Sequence, residues 1–159
     1  MKATLYHSPI GVITMFSDGN SLTGLHFAEH QEVTEAQDLS NEQRLQVFED
    51  TRRWLDLYFN GMGPDFTPPI NPQGTLFQQK VWHELLSIPF GQTTTYGAIA
   101  KRLNCRSAQA VGQAIHRNPI AIIIPCHRVI GSDGSLMGYA AGLDIKRALL
   151  QLEKQIIPN

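Results

Sequence analysis

Cysteine is scarce in this chain of 159 residues: Cys105 and Cys126 are the only two. Two cysteines with no sign of export make no disulfide framework, and the expected compartment is the reducing cytoplasm. Neither stands at a zinc-binding spacing, so no metal and no cofactor is expected. Long apolar runs are lacking as well. The longest, Ile120 to Ile124, is far below the roughly 20 residues of a membrane-spanning helix. The opening Met1-Lys2-Ala3-Thr4 does not read as a signal peptide, so no membrane partner is expected. Internal repeats and low-complexity tracts are also missing. Acidic residues are short in one half only. Residues 71–159 hold four (Glu84, Asp133, Asp144, Glu153) against nine Lys/Arg, a net +5, while residues 1–70 hold ten against four, a net −6. The overall charge of −1 therefore conceals a split. A cationic C-terminal half fits a polyanionic partner there, and solvated faces distributed by chance fit equally well.

What is present reads as two small domains. With 42% hydrophobic and 17% charged residues, the composition is that of a soluble globular chain. Ala3–His7, Val12–Ser17 and Ser21–Phe27 are β-rich segments parted by turn residues, which predicts a small meander. A helix is expected from about Asn41 to Asn60. Ser40 and Gln43 form its capping box, Leu45, Phe48, Leu55, Tyr58 and Phe59 its apolar face, and Gly61 its stop. From Gly61 to Gly74 proline, glycine, asparagine and aspartate dominate, as in an interdomain linker.

The second half reads as short helices. Thr75 and Gln78 cap one with Phe77, Val81 and Leu85 inward. Another is expected from about Thr95 to Leu103, and a third from Ala108 to Arg117, begun by Ser107 and ended by Asn118-Pro119. The turn Asn104-Cys105-Arg106 between them makes a helix-turn-helix or an ordinary helical hairpin, the commoner arrangement on pattern alone. Ala108, Ala110, Gly112 and Ala114 keep the third helix slim. Gly112 in mid-helix costs about 1 kcal/mol relative to Ala, so something should approach it closely. A closing helix is expected from Asp144 to about Gln155.

Cys126 ends what reads as a buried strand, between Pro125 and His127. A lone cysteine is most often a small hydrophobe. Three features weigh the other way: a proline that sets an extended backbone, a histidine that can act as base, and Arg128, whose charge favours thiolate. Neighbours in an extended segment face opposite ways, so His127 would reach the sulfur across a turn or through water. A base of this kind needs a third group to orient it, and Glu153 is the only acidic residue beyond Asp144.

The segment Ile124-Pro125-Cys126-His127-Arg128-Val129 resembles the active-site signature of the O6-alkylguanine-DNA alkyltransferases. Phe77 to Trp82, Ile88-Pro89-Phe90-Gly91, Tyr96, Ala110-Val111-Gly112, Asn118-Pro119, Gly138-Tyr139-Ala140 and Gly142 also fall where that family's pattern places them. The likeness is strong over residues 75–153 and only architectural before them. It implies an α/β (α+β) protein. Residues 1–70 would form a ribonuclease-H-like β/α domain, and residues 71–159 a helical, winged-helix-like domain with the helix-turn-helix. The partner implied is double-stranded DNA bearing alkylated bases, entered from the minor groove by a monomer associated with the nucleoid.

The resemblance makes Cys126 the nucleophile, His127 the water-linked base and Glu153 its orienting group. Asn118 would hold the active-site loop and Tyr96 would assist the departing guanine. Pro125, Val129, Met137, Gly138, Tyr139, Ala140 and Ala141 would form the substrate pocket. Thr95, Tyr96, Arg106, Ser107, Ala108, Gln109, Gly112, Arg117 and Arg128 would meet DNA. Two positions depart from the family: Gln109 stands where an arginine is usual, and Ala141 where a glycine is common. The rival readings are a DNA-binding lesion sensor or regulator of the same family, which typically lacks the cysteine, and a cysteine hydrolase, which would need an oxyanion hole.

Overall fold

The turns between the first strands set how they pair, with Gly11 at φ +142° and Gly19 at φ +107°. In the computed structural model, which describes residues 2–27 and 45–154, β1 (Lys2–Ser8), β2 (Gly11–Ser17) and β3 (Leu22–Phe27) form an antiparallel meander in that order. Lys2 stands opposite Ser17 and Ser8 opposite Gly11, with a bulge at Phe16/Ser17. Ile13, Met15, Leu22 and Leu25 are buried beside Val47, Phe48, Trp54, Leu55 and Tyr58 of α1 (Gln46–Phe59), which recur at helical spacing. Tyr6 Oη donates to Asp56 Oδ1 (2.6 Å), and Arg52 donates to Leu5 O and Thr4 Oγ1, so helix and sheet are also joined by polar contacts. Gly61, at φ +84°, ends the helix: its N–H reaches Tyr58 O while that of Met62 reaches Leu57 O. The capping box expected from Ser40 and Gln43 lies outside the described residues.

The proline-rich stretch is not wholly a free linker. Leu22 N donates to Pro69 O and Asn71 N to Leu22 O, both at 2.8 Å, a one-residue parallel bridge that ties Ile70 to β3. The chain divides into two units, residues 1–72 and 73–159.

The second unit comprises α2 (Leu76–Leu85), β4 (Thr94–Thr95), α3 (Tyr96–Arg102), α4 (Ala108–His116), a 3₁₀ turn (Cys126–Arg128), β5 (Val129–Ile130) and α5 (Leu143–Lys154). Local caps set the helix starts. Thr75 and Gln78 make a reciprocal capping box, Thr95 Oγ1 accepts from Ala98 N, and Ser107 Oγ accepts from Ala110 N. Asn104, at φ +54°, turns the chain between α3 and α4. The inward face of α2 holds Val81, Trp82 and Leu85. Phe77, expected inward, is 37% exposed. Trp82 takes its place, with Nε1 donating to Ala114 O (2.8 Å) and so fastening α2 to α4. Gly112 faces the Tyr96 ring, at an ordinary van der Waals distance from where a Cβ would stand.

One expected element is absent. The apolar run before Cys126 is a series of turns, with Ile123 N bonded to Ala121 O and Ile124 N to Ile120 O. Ile122 sits at φ +69°. A β-branched residue in the left-handed region costs about 1–3 kcal/mol, and the burial of Ile120, Ile122, Ile123 and Ile124 overrides it. Apolar composition alone does not separate a buried strand from buried turns.

Candidate active site

Asn118 begins the site. Pro119 closes off α4, and the Asn118 side chain then spans the turns: its Oδ1 accepts from Ile120 N (2.9 Å) and its Nδ2 donates to Ile124 O (2.8 Å). These bonds fix the backbone that delivers Pro125 and Cys126. Cys126 is 7% exposed and opens the 3₁₀ turn, with its N–H on Ile124 O. The turn brings the neighbouring side chains of His127 and Arg128 to one carboxylate, where an extended segment would send them to opposite faces.

His127 Nε2 donates to Glu153 Oε2 at 2.5 Å, both groups being buried. The other carboxylate oxygen, Oε1, accepts from Arg128 Nε (2.8 Å) and from Gly91 N (2.9 Å). Arg128 also donates to Ile88 O (2.7 Å) and lies 5.7 Å from the centre of the Phe90 ring. The loop Ile88–Gly91 and Arg128 thus cage the carboxylate so that Oε2 meets the imidazole. With Nε2 committed as donor, Nδ1 is the basic nitrogen of a neutral ring.

Burial pushes the Cys126 thiol up from its ordinary range, and hydrogen bonds from Asn118 and Tyr139 and the charge of Lys146 work against that rise. Burial holds His127 below its usual value despite Glu153. Burial would raise Glu153, but its bond to His127 and the charges of His127 and Arg128 prevail and hold it at about 2. Tyr96 is raised by burial and by the nearby Cys126, so at neutral pH it remains a phenol able to donate a proton. Cys126, His127, Glu153, Asn118, Tyr139 and Tyr96 are therefore one connected site.

Beside it lies a cavity of about 740 Å³ in the second unit. Tyr96 and the α4 residues Ala108, Gln109, Gly112, Gln113 and His116 line it, joined by Arg117 and, from the later loop, by Met137 and Gly138. Arg106 and Ser107 are exposed just ahead of α4. Ala140 is exposed and Ala141 half-buried in the same loop as Tyr139.

One expectation needs correcting. Arg128, assigned to DNA, is 7% exposed and bound to Glu153 and Ile88, so no phosphate can reach it. Pro125 and Val129, expected in the substrate pocket, are buried, as Cys126 is. Thr95, expected at the DNA, is half-buried, and its Oγ1 accepts from Ala98 N to cap α3. The sequence reading passed over Gln113 and His116 on the groove, and Lys146. The signal for Lys146 was its place with Leu149 and Glu153 on the inward stripe of α5.

A cysteine with a histidine–carboxylate pair, set beside the helix-turn-helix of α3 and α4, defines the class. Residues 76–155 match the DNA-binding domain of the 6-O-methylguanine DNA methyltransferases, and residues 1–72 match the ribonuclease-like domain of the same proteins. The chain belongs to this family. It is 46% identical over 156 residues to the methylated-DNA--protein-cysteine methyltransferase of Methanosarcina acetivorans, covering 96% of this chain and 98% of that one. Identity to the Haemophilus influenzae methylated-DNA--protein-cysteine methyltransferase is 43% over 153 residues, 95% of this chain and 85% of the relative. The crystal structure of Mycobacterium tuberculosis OGT in complex with DNA superposes with a TM-score of 0.84 at 41% identity, covering 99% of this chain and 96% of that one.

Proposed function

We propose that this protein repairs DNA by moving an alkyl group from O6 of guanine, or O4 of thymine, to the sulfur of Cys126, once per molecule. The observation that carries this reading is the buried Cys126 beside the His127–Glu153 pair, next to the groove formed by α4. The alkylated oxygen is out of reach in a stacked duplex, so α4 enters the minor groove and the damaged nucleotide rotates into the pocket, a damaged pair costing less to open. Gln109, Gly112 and Arg117 face the DNA from the groove, with Arg106, Ser107 and Ala108 at the start of α4. Met137 to Ala141 form the loop beside the flipped base.

The thiol proton passes through a water to Nδ1 of His127, whose Nε2–H stays on Glu153. The thiolate attacks the alkyl carbon. A C–S bond forms, the C–O bond breaks, and guanine leaves with the electron pair on O6. Tyr96 donates to the departing anion, and Asn118 holds the cysteine loop. The product is a thioether, which no acid or base in the site can cleave, so turnover stops at one. Nothing in these steps calls for a cofactor. Two free thiols suit a reducing cytoplasm, where the protein works as a monomer, on the nucleoid when bound to DNA.

The test is intact mass after incubation with O6-methylguanine duplex: one methyl per protein is expected, on the peptide holding Cys126, and none in Cys126→Ser. Methyl on Cys105 with Cys126 untouched overturns the assignment. Repeated turnover of an ester would favour a cysteine hydrolase, and binding without mass change a lesion sensor.

A further inference from the structure

The face of α4 that lines the cavity carries its hydrogen-bonding side chains at helical spacing. Val111, Ala114 and Ile115 are buried on the inward side, and Ala114 O accepts from Trp82 Nε1. That leaves Ala108, Gln109, Gly112, Gln113 and His116 facing the cavity. Gln109, Gln113 and His116 stand at i, i+4 and i+7, one above another along the helix. All three are exposed, and none makes a side-chain hydrogen bond to another described residue.

Cations stand at the ends of this face and not in its middle. Arg106 precedes the helix and Arg117 follows it, both exposed, and no acidic residue occurs between Glu84 and Asp133. Phosphate contacts of such cations fix a protein on a duplex but carry no sequence information. Between them the small Ala108 and Gly112 let the helix approach closely, which brings the amides to base edges. In the minor groove an A·T pair offers only the acceptors N3 and O2, while a G·C pair adds the guanine N2 amino donor. A glutamine amide holds a donor and an acceptor side by side, so it can bond guanine N3 and N2 together. The ring nitrogens of His116 diverge and cannot make that pair.

We propose that Gln113 reads a base pair beside the lesion and favours guanine there through its 2-amino group. This deepens the duplex-repair reading and rests on it. With Gln109 at the rotated nucleotide, Gln113 lies about 6 Å further along the helix, which is about two base-pair steps. The preference is therefore confined to one side of the lesion. It also has a sign of its own. A G·C pair has one more hydrogen bond than A·T or inosine·C, so duplex opening alone would make repair slower beside G·C. Reading by Gln113 makes it faster.

The experiment is single-turnover methyl transfer at subsaturating protein. The O6-methylguanine duplexes carry G·C, A·T or inosine·C at each neighbouring position on either side of the lesion. Inosine lacks only the 2-amino group of guanine, so its pair shows the protein a minor groove of acceptors alone. The parent protein should transfer about fivefold faster with G·C than with either other pair, at the low end of what a bidentate base contact gives. Gln113→Ala keeps a good helix former at an exposed position and should bring that ratio to one or below. Gln109→Ala should slow every duplex and leave the ratio in place. Single strands of the same sequences have no minor groove and should show no preference.

Equal rates for G·C and inosine·C at every position overturn the proposal, as does a faster rate with inosine. So does a preference that survives in Gln113→Ala or that appears equally on single strands. Failure of the alkyl-transfer reading looks different: the parent protein would take no methyl from any of these duplexes, and both readings would fall together.

Discussion

The two units bury different kinds of polar group. Among the described residues, those buried and polar in the first are Thr4, Thr14, Ser17 and Thr51, all neutral hydroxyls; in the second they are His127, Arg128, Lys146 and Glu153, all titratable or charged. Ion pairs in a protein interior add little net stability against well-packed apolar residues of the same size. Among its described residues the first unit buries no ion pair; it holds stacked Trp54 and Tyr58 and hydroxyls that close local bonds, such as Thr51 Oγ1 to Val47 O. The second concentrates its charges around one sulfur. That is the pattern of an interior shaped by chemistry as well as by packing.

The strongest way to break this comparison is to orphan one charge in each unit. Glu153→Ala would leave Arg128 buried without its anion and His127 without its anchor, and should cost about 3–5 kcal/mol. Asp56→Ala removes an exposed acceptor for Tyr6 and a nearby anion for half-buried Arg52 and should cost about 1 kcal/mol. Adding Arg128→Met to Glu153→Ala should recover part of the loss. Urea denaturation reads both units, because Trp54 belongs to the first and Trp82 to the second, so Trp54→Phe isolates the emission of the second. Equal costs for Asp56→Ala and Glu153→Ala would refute the contrast.

The sequence made legible those features whose causes are local. Thr75 with Gln78 and Ser107 with Ala110 are contacts within one turn, and the helices begin where the caps stand. The strands were readable because turn residues bound them. The turns at residues 120–124 were not, since four isoleucines pack equally well in either geometry. Arg128 was misplaced for a different reason. Its neighbours show a cationic side chain beside a reactive cysteine, but its partners lie 25 and 40 residues away. Cys126, His127 and Glu153 were found together by the family likeness and because Glu153 is the only acidic residue beyond Asp144.

Acid should sharpen the contrast next. His127 is held below its ordinary 6.5 by burial, so the unfolded chain binds its proton first and stability drops as pH falls below 6.5. Glu153 is held below 4.5, at about 2, so its contribution is present above 4.5 and disappears as pH falls towards 2. That second step is worth about 3 kcal/mol by linkage. The first unit buries no carboxylate or imidazole among the described residues. The second unit should therefore lose stability in two stages on acidification, monitored by Trp82 emission in Trp54→Phe. Glu153→Gln should abolish the lower stage. A lower stage that survives in Glu153→Gln would assign it to another carboxylate.

The smallest expected effect concerns an exposed residue of the second unit, where the charge pattern of the interior has no counterpart. Gln109 lines the groove one residue into α4, with Arg106 exposed before the helix starts. A base rotated out of a duplex leaves a stacking gap, and an unfilled gap costs a few kcal/mol per disrupted step. Arginine fills such a gap with a flat cationic group and gains from the negative potential of the minor groove. Glutamine is shorter and neutral, though its amide can still hydrogen-bond the orphaned partner base. Gln109 should therefore do the same work less well, and duplex repair should approach the rate on single strands, where nothing has to be flipped. Gln109→Arg should speed methyl transfer from duplex about three- to tenfold, a gain of about 1 kcal/mol, and leave the single-strand rate unchanged. Single-turnover transfer on both substrates measures this directly. Equal acceleration on both would reduce the effect to general affinity for phosphates, and no change on duplex would mean that another side chain occupies the gap.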